Sequence, residues 1–415
     1  MLTRAKYNCV ASSIAAIVVL LMAIGAVFVF SASANIGQDL DFQKFYEYPG
    51  LRQILFFPIA CLILYTASAF DYRRLGASNG WLKSPALYLL ILSIALLIFV
   101  LLFGTEINYA RRWLRIPAGP VKISFQPSEL AKWAIILFLA AFCDKYSAGI
   151  KLFRKRFVPV CCIIGVVVGL IVIEDVGTAA FVSLLAFLML IIAGAKWWHV
   201  LAPLPLGILG FVYVLIHSPA RLERIWAWIW PEKYGSTVGY QANQSLIALG
   251  SGGMFGKGLG EGICKYGHLP EDTTDFIFAI IGEELGFVGN AAVILLFIIF
   301  MWLGILVVVR CKDRFGQLLA GGIVLAIGIQ AALNIGVVTV VLPTKGIPLP
   351  FVSAGGTSML LSSAAVGVLL SIARQSAGKP AESKLQHKPA AAIIKRDERK
   401  YRPARGVPGR VSIPF

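Results

Sequence analysis

The feature that most constrains the fold is a series of long apolar runs that recurs from one end of the chain to the other. Each run has roughly 17 to 25 residues, enough for a helix to cross a hydrocarbon core of about 30 Å. Hydrophobic residues make up 58% of the chain and charged residues 14%, whereas an ordinary globular protein carries about 25% charged residues. The sequence therefore predicts a polytopic membrane protein and excludes a water-soluble one.

We predict an all-α integral membrane protein of about ten transmembrane helices. The first run is longer than a signal-peptide core and lacks a small-residue cleavage site, so we expect a retained signal-anchor helix. Cytoplasmic N- and C-termini place most short Lys- and Arg-rich connections inside, as the positive-inside rule requires. A large exterior loop then separates spans seven and eight. The predicted spans are 10–33, 53–70, 85–104, 128–146, 157–173, 177–194, 199–216, 275–308, 317–340 and 356–373.

Two segments that this topology places outside the cell also keep positive charge. They contain Arg111, Arg112, Arg115, Lys122, Arg221, Arg224, Lys233, Lys257 and Lys265. Cations on the translocated side oppose the preference of Lys and Arg for the cytoplasmic side, so we expect them to face an anionic ligand. The alternative is that they are ordinary solvated charges of the loops. The net charge of +17 would suggest a nucleic-acid partner in a soluble protein. Here the basic residues are divided between the two sides of the membrane, so we predict no nucleic-acid partner.

The chain is predicted to hold one membrane domain at 1–377 and a tail at 378–415. In the tail, Lys, Arg and Pro dominate and apolar periodicity stops, which is typical of a disordered segment. Such a cytoplasmic tail would contact anionic membrane lipid or partner proteins. The segment 217–274 is too long for a simple connector and is expected to carry function.

The cysteines and histidines show no pattern that predicts a disulfide framework or a metal site. The four histidines are scattered along the chain, and we assign none of them a catalytic role. No phosphate-binding glycine loop is present, because the glycines at 256–260 lack the following Lys and Ser or Thr.

The most informative stretch is LPEDTTDFIFAIIGEELG at 269–286, where an acidic loop runs into an apolar helix. We expect Thr274 to cap that helix and Asp275 to lie in its first turn, where the helix dipole favours a carboxylate. Asp275 is therefore either a helix-terminal charge or a functional group. Glu283 and Glu284 lie deeper in apolar sequence, where ionisable residues face a cavity or a partner. At least one of these glutamates is predicted to point inward.

Three further polar clusters are predicted on the exterior side of the membrane. Ser128 can cap a helix, and Glu129 and Lys132 lie near one face of it. Each cluster alone is compatible with a helix cap or a re-entrant turn, but all of them fall on the same side. The clusters are ARRWL at 110–114 with FQPSELAK at 125–132, EDVGTA at 174–179, and PTKGIPLPFVSAGGTS at 343–358.

These motifs, together with YQANQSLIALGSGGMFGKGLG, closely resemble those of the shape, elongation, division and sporulation (SEDS) family over roughly residues 10–375. Lys265 before LPE, the unbroken PTKG and IIGEELG resemble the cell-division members more than the elongation members. The resemblance implies a peptidoglycan glycosyltransferase that polymerises lipid II, an undecaprenyl-diphosphate-linked precursor. It also implies a class B penicillin-binding protein transpeptidase and other division proteins as partners, in the bacterial cytoplasmic (inner) membrane at the division septum.

The resemblance also assigns candidate site residues. The catalytic aspartate of the family falls on Asp275. Departures from the family pattern at Thr273, Ala354, Glu174 and Val340 bear on substrate handling and leave the carboxylate in place. Candidate substrate-binding or structural residues are Arg112, Glu129, Lys132, Asp175, Lys265, Glu271, Glu283 and Lys345.

The expected chemistry is the loss of a proton from an acceptor sugar hydroxyl while a lipid diphosphate leaves the donor sugar. A carboxylate suits the first step as a general base, and cations suit the second. The motifs require no cofactor, and they are also compatible with the use of a divalent cation, Mg²⁺ or Mn²⁺. The alternatives are an elongation-type polymerase, a flippase for the same lipid and a non-catalytic scaffold for division proteins.

Overall fold

The computed structural model describes the membrane-embedded part of the chain in several segments, and the structural statements below concern these residues. The tail predicted at 378–415 lies outside them, and the domain boundary stays a prediction. The described residues are 4–33, 48–77, 80–107, 110–118, 121–146, 152–235, 237–266 and 269–376.

Within these segments, eight helical stretches are long and apolar enough to cross a membrane. This confirms the prediction of a helical membrane protein, because a helix satisfies most of its backbone hydrogen bonds within one segment. The stretches comprise α1 (Arg4–Ser33), α2 (Pro49–Ala69), α3 (Pro85–Phe103), α5 (Val158–Val172) with a π-helical turn at Phe153–Phe157, α7 (Trp197–Leu201) with α8 (Leu204–Ile216), α12 (Ile277–Arg310), α13 (Arg314–Val338) and α14 (Gly356–Ser376).

Two further helices pack among these spans, α4 (Pro127–Lys145) and α6 (Val176–Ile192). The sequence of α6 is apolar but shorter than the other spans, and α4 carries charge at both ends. The predicted count of ten spans and the predicted topology stay predictions. The expected Ser128 cap is wrong, because α4 begins at Pro127 with Gln126 as N-cap, two residues before a helix capped by Ser128 would begin. Proline suits that position because it lacks an N–H.

The centre of the protein is formed by α4 and α13. All residues of α4 from Ala131 to Cys143 are buried, and α4 contacts α3, α6, α13 and α14. Gly322 of α13 lies so close to Ile136 and Met189 that a Cβ there would overlap both side chains. Small residues of this kind let membrane helices approach each other closely. Polar residues on α4 and α13 are thereby shielded from lipid.

A small antiparallel sheet lies between α3 and α4, and it adds strands to the all-α prediction. Its strands, in the order β1-β2-β3, are β1 (Thr105–Ile107), β2 (Ala110–Ala118) and β3 (Val121–Phe125). Leu114 pairs with Phe125 in register. Because successive side chains of a strand point to opposite faces, Arg112 and Arg111 of β2 face different surroundings.

The predicted exterior segment 217–274 also contains helices. These are α9 (Pro219–Ile229), α10 (Pro231–Tyr234) and α11 (Tyr240–Ser251). Proline starts both α9 and α10, which fits its preset φ angle. The helix α11 packs against α12 and α13, so this segment is part of the packed structure.

Candidate active site

Asp275 lies just before α12 on a segment that folds back onto Glu271. The backbone N–H groups of Thr274 and Phe276 donate to the carbonyl of Glu271 at 3.2 and 3.1 Å. The helix begins at Ile277 with Phe276 as N-cap, so the predicted Thr274 cap and first-turn position of Asp275 are wrong. The turn closes on the Glu271 carbonyl before the helix starts, and the Thr274 hydroxyl donates to the Glu271 carboxylate at 2.8 Å.

The loop at 339–355 packs against this segment and fixes its backbone. The N–H of Ala354 donates to the carbonyl of Thr273 at 2.9 Å, and the hydroxyl of Ser353 donates to the backbone carbonyl of Thr274 at 2.6 Å. A Cβ on Gly346 would lie 2.9 Å from Oδ2 of Asp275. Glycine at 346 therefore leaves room for the Asp275 carboxyl beside the loop.

The carboxyl group of Asp275 is poised to exchange a proton near neutral pH. Burial is the main cause that raises its pKa to about 7, Glu271 and Asp175 add to the rise, and Arg112 opposes it. The residue is only half-buried by accessible surface, yet its carboxyl is surrounded by protein atoms, and this surrounding governs the pKa. A base with such a pKa suits chemistry at physiological pH.

Asp175 forms the opposite side of the cluster, where it caps the N-terminus of α6. Its carboxylate accepts hydrogen bonds from the N–H and hydroxyl of Thr178 at 3.0 and 2.9 Å. It also pairs with Nη1 of Arg112 at 3.2 Å. A Cβ on Gly177 would lie 3.3 Å from Cδ of Lys345, so the lysine stem passes over the start of α6. Acidic caps of this kind are favoured at helix N-termini.

Three cations, Arg112, Arg224 and Lys345, interact with the carboxylate of Asp175. Burial lowers the pKa of Lys345, and the charge of Asp175 opposes that shift. The pKa of Arg224 on α9 is lowered first by burial and then by Arg112 and Arg221, with Asp175 opposing. Cations gathered this closely repel one another, and an anion bound between them would relieve that repulsion. Arg224 was foreseen only as an exterior cation and was absent from the predicted site residues.

Glu129 and Lys132 lie together in a second, buried network. Nζ of Lys132 donates to Glu129 at 2.9 Å and to Oε1 of Gln330 at 2.8 Å, and the hydroxyl of Ser358 donates to Glu129 at 2.8 Å. Lys132 is only 1% exposed. A lysine so enclosed by protein partners makes its contacts inside the fold, and its predicted role in substrate binding is untested.

Lys265 and Glu283 lie in a third group, at a break in α12. Glu283 pairs with Lys257 at 2.6 Å and Glu284 pairs with Lys265 at 2.9 Å, and both glutamate side chains are fully buried. The inward orientation predicted for at least one glutamate therefore holds for both. Backbone N–H groups of 257 and 258 donate to the carbonyls of 283 and 284, which the non-helical Gly286 leaves without helical partners.

The structure thus brings Arg112, Asp175, Glu271, Asp275 and Lys345 into one electrostatic cluster, while the other predicted residues form the two buried groups. Sequence reasoning missed Gln330 and Asn334 on α13, although two amides four residues apart in an apolar helix were a usable signal. Among the described residues, no three His, Cys, Asp or Glu side chains gather closely enough to hold a metal ion.

Comparison with known protein families identifies relatives along most of the chain. The sequence profile of the FTSW_RODA_SPOVE family, described as "Cell cycle protein", matches residues 11–378. Stage V sporulation protein E of Bacillus subtilis is 38% identical over 365 residues, which cover 87% of this chain and 96% of that protein. A probable peptidoglycan glycosyltransferase FtsW of Trichlorobacter lovleyi is 37% identical over 363 residues, covering 86% and 91% of the two chains.

Solved structures resemble this fold as well. A chain from a peptidoglycan synthase complex that coordinates polymerization and crosslinking aligns with a TM-score of 0.67 at 26% identity, covering 86% of this chain and 97% of that one. The rod shape determining protein RodA of Thermus thermophilus aligns with a TM-score of 0.60 at 25% identity, covering 87% and 96%. Both likenesses extend over nearly the whole described part of the chain.

Proposed function

The chain belongs to the FTSW_RODA_SPOVE family, and from this premise we propose that it is a peptidoglycan glycosyltransferase that polymerises lipid II at the outer face of the cytoplasmic membrane. The observation that carries the proposal is the placement of Asp275, a carboxyl with a pKa of about 7, beside the cations around Asp175. One carboxylate base and a set of cations are what a transfer from a lipid diphosphate requires.

In the proposed reaction, Asp275 takes the proton from the acceptor sugar hydroxyl as its oxygen attacks the anomeric carbon of the donor. The bond from that carbon to the diphosphate oxygen breaks, and the electron pair leaves with the undecaprenyl diphosphate. A single displacement inverts an α-linked donor into a β-linked polymer. Because diphosphate is a good leaving group, the reaction needs no second carboxyl to act as an acid, unlike glycoside hydrolysis.

Arg112 and Lys345 are proposed to stabilise the negative charge that develops on the departing diphosphate. Arg112 is paired with Asp175 at 3.2 Å and its side chain is 30% exposed, so one face is open to a ligand. Guanidinium groups bind phosphates with two parallel hydrogen bonds, whereas a lysine acts as a point charge. Arg224 would add charge to the same anion site.

The proposed use of Mg²⁺ or Mn²⁺ rests on the diphosphate itself. Magnesium in phosphate chemistry is commonly held by one or two carboxylates together with substrate oxygens. The described residues offer no protein cage of three or more ligands, so no step of the mechanism is assigned to a metal.

Septal synthesis is proposed as the biological role, with a class B penicillin-binding protein transpeptidase and other division proteins as partners. The role is supported by relatives that carry the name FtsW and by the resemblance of this fold to a chain from a peptidoglycan synthase complex. An elongation-type polymerase is the closest alternative, because RodA has the same fold.

The test is polymerisation by the purified chain together with its co-purified partner. Labelled lipid II supplied in detergent, where no gradient or second compartment exists, should be converted into long glycan strands. A flippase or a scaffold would leave lipid II unchanged under these conditions. Adding alternative transpeptidase partners then distinguishes the septal role, since only the cognate partner is expected to stimulate synthesis.

A further inference from the structure

Two buried amides on one face of α13 connect elements of the candidate active site. Gln330 and Asn334 are four residues apart, so their side chains lie one above the other. Their exposures are 4% and 1%. A buried amide in a membrane helix is costly unless it is hydrogen-bonded, so the partners of these two residues indicate their purpose.

Asn334 joins the segment of Asp275 to the loop at 339–355. Its Nδ2 atom donates to the backbone carbonyl of Asp275 at 2.7 Å and to that of Ile347 at 2.8 Å. Only the NH₂ end of an amide can satisfy two carbonyl groups at once, which fixes the orientation of the side chain. Its Oδ1 atom is buried and has no partner within the described residues. The protein thus retains an unsatisfied acceptor in order to hold both loops.

Gln330 extends this connection toward the buried pair on α4. Its Oε1 atom accepts from Lys132 at 2.8 Å, and its Nε2 atom donates to the carbonyl of Pro348 at 2.9 Å. Pro348 follows Ile347 directly in the chain. Hydrogen bonds on either side of the Ile347–Pro348 peptide therefore connect Glu129 and Lys132 with the backbone of Asp275.

We propose that Asn334 is a positioning residue for Asp275. Gln330 anchors the loop at 339–355, which Asn334 also binds, to the pair of Glu129 and Lys132. The inference rests on the proposed function and assigns roles within it. Asn334 holds the residue carrying the base and the loop carrying Lys345 to one rigid helix, so it sets the distance between base and leaving-group cation. Misplacement of reacting groups by about 1 Å can reduce a rate by about 100-fold.

The test is the variant Asn334→Leu, which keeps the shape of the side chain and removes both donors. In the full chain with its partner, kcat for lipid II polymerisation should fall by about 10- to 100-fold. The KM should stay within about 3-fold, because Asn334 touches no substrate. Lys132→Met combined with Asn334→Leu should lose less than the product of the two single effects, since both act through one network.

The matched control is Asn290→Leu in α12, another buried amide whose Oδ1 has no partner in the described part of the chain. It should leave kcat unchanged. A wild-type protein that makes no glycan would reject the proposed function itself. With an active wild type, a kcat for Asn334→Leu within about 2-fold, or a loss confined to KM, overturns the positioning role.

A second variant covers failure of Asn334→Leu to insert into the membrane. Asn334→Ser keeps one donor and is small enough for the same space, so kcat should fall by an intermediate amount at unchanged KM. Wild-type kcat in a folded Asn334→Ser protein would overturn the proposal.

Discussion

Asp275 differs from Asp175 and Glu283 because burial acts on its carboxyl, and within the described residues no cation pairs with it directly. Asp175 caps a helix and pairs with Arg112, and Glu283 accepts from Lys257 and two backbone N–H groups. Those contacts give both carboxylates hydrogen-bond or ion-pair partners. Burial instead dominates the surroundings of Asp275 and raises its pKa to about 7.

The variant Asp275→Asn should reduce lipid II polymerisation by at least about 100-fold, because the amide has the same size and cannot accept a proton. Activity is measured as labelled glycan formed by the purified protein with its partner. The matched control is Asp272→Asn, which alters a neighbouring carboxyl in the same acidic segment and should keep most of the activity. Near-normal turnover by a folded Asp275→Asn protein would move the base to Asp175, Glu129 or Glu283.

The raised pKa of Asp275 also predicts how activity and stability depend on pH. The value of kcat/KM should rise with pH and level off above about 7, where the carboxyl is ionised. Stability should change in the opposite sense. Between the ordinary value of 3.8 and the folded value of about 7, the unfolded chain loses the proton that the folded chain keeps, so rising pH favours unfolding.

Asp275→Asn isolates this contribution to stability. The melting temperature of the variant should exceed that of wild type by a margin that is negligible near pH 4, grows toward pH 7 and is constant above it. Thermal denaturation in one detergent over this range provides the measurement. A margin that shrinks as pH rises would mean that the folded protein lowers the pKa of Asp275.

At the scale of elements, α12 is broken at Gly286, where backbone groups of the segment 217–274 bond to it. Gly286 adopts φ 70° and ψ −163°, a conformation open essentially to glycine. The N–H groups of Phe287 and Val288 donate to the carbonyls of Gly253 and Met254, so the loop supplies the partners that a helix would provide. The sequence showed two glutamates in an apolar run, but the partner of each depends on this break, which periodicity does not predict.

The ion pair of Lys265 and Glu284 should contribute to stability rather than to substrate affinity. Glu284→Gln leaves the ammonium group of Lys265 buried without its counter-ion and should cost about 3–5 kcal/mol, measured as denaturation in detergent. Lys265→Met combined with Glu284→Gln should recover most of that loss, because neither member of this pair then carries a charge.

An exposed pair provides the control for this experiment. Arg111 and Glu106 lie 3.7 Å apart with side chains 50% and 55% exposed, so Glu106→Gln should change stability by less than about 1 kcal/mol. If Glu284→Gln instead weakened lipid II binding at unchanged stability, Lys265 would belong to the substrate site that the family resemblance suggests.

At the scale of the whole molecule, long apolar runs were sufficient to predict the helical membrane class. A run of that length spans the hydrocarbon core, and without water there its backbone groups must bond to one another. The same patterns did not predict the sheet around Arg112 or the helices within 217–274. Short amphipathic elements there depend on packing against spans that are distant in sequence. The motifs predicted Asp275, Arg112 and Lys345 as site residues. They did not predict Asn334, because its side chain binds the backbone carbonyls of two separate segments.

The tail at 378–415 lies outside the described residues. Its composition is basic and rich in proline, so it has too little apolar surface to form a core. The topology predicted from the sequence assigns it to the cytoplasm. A chain ending at Ala377 should therefore insert normally and synthesise glycan in vitro at about the wild-type rate. Loss of synthesis by a correctly inserted truncation would contradict this, whereas altered placement in the cell would fit a tail that contacts lipid or partners.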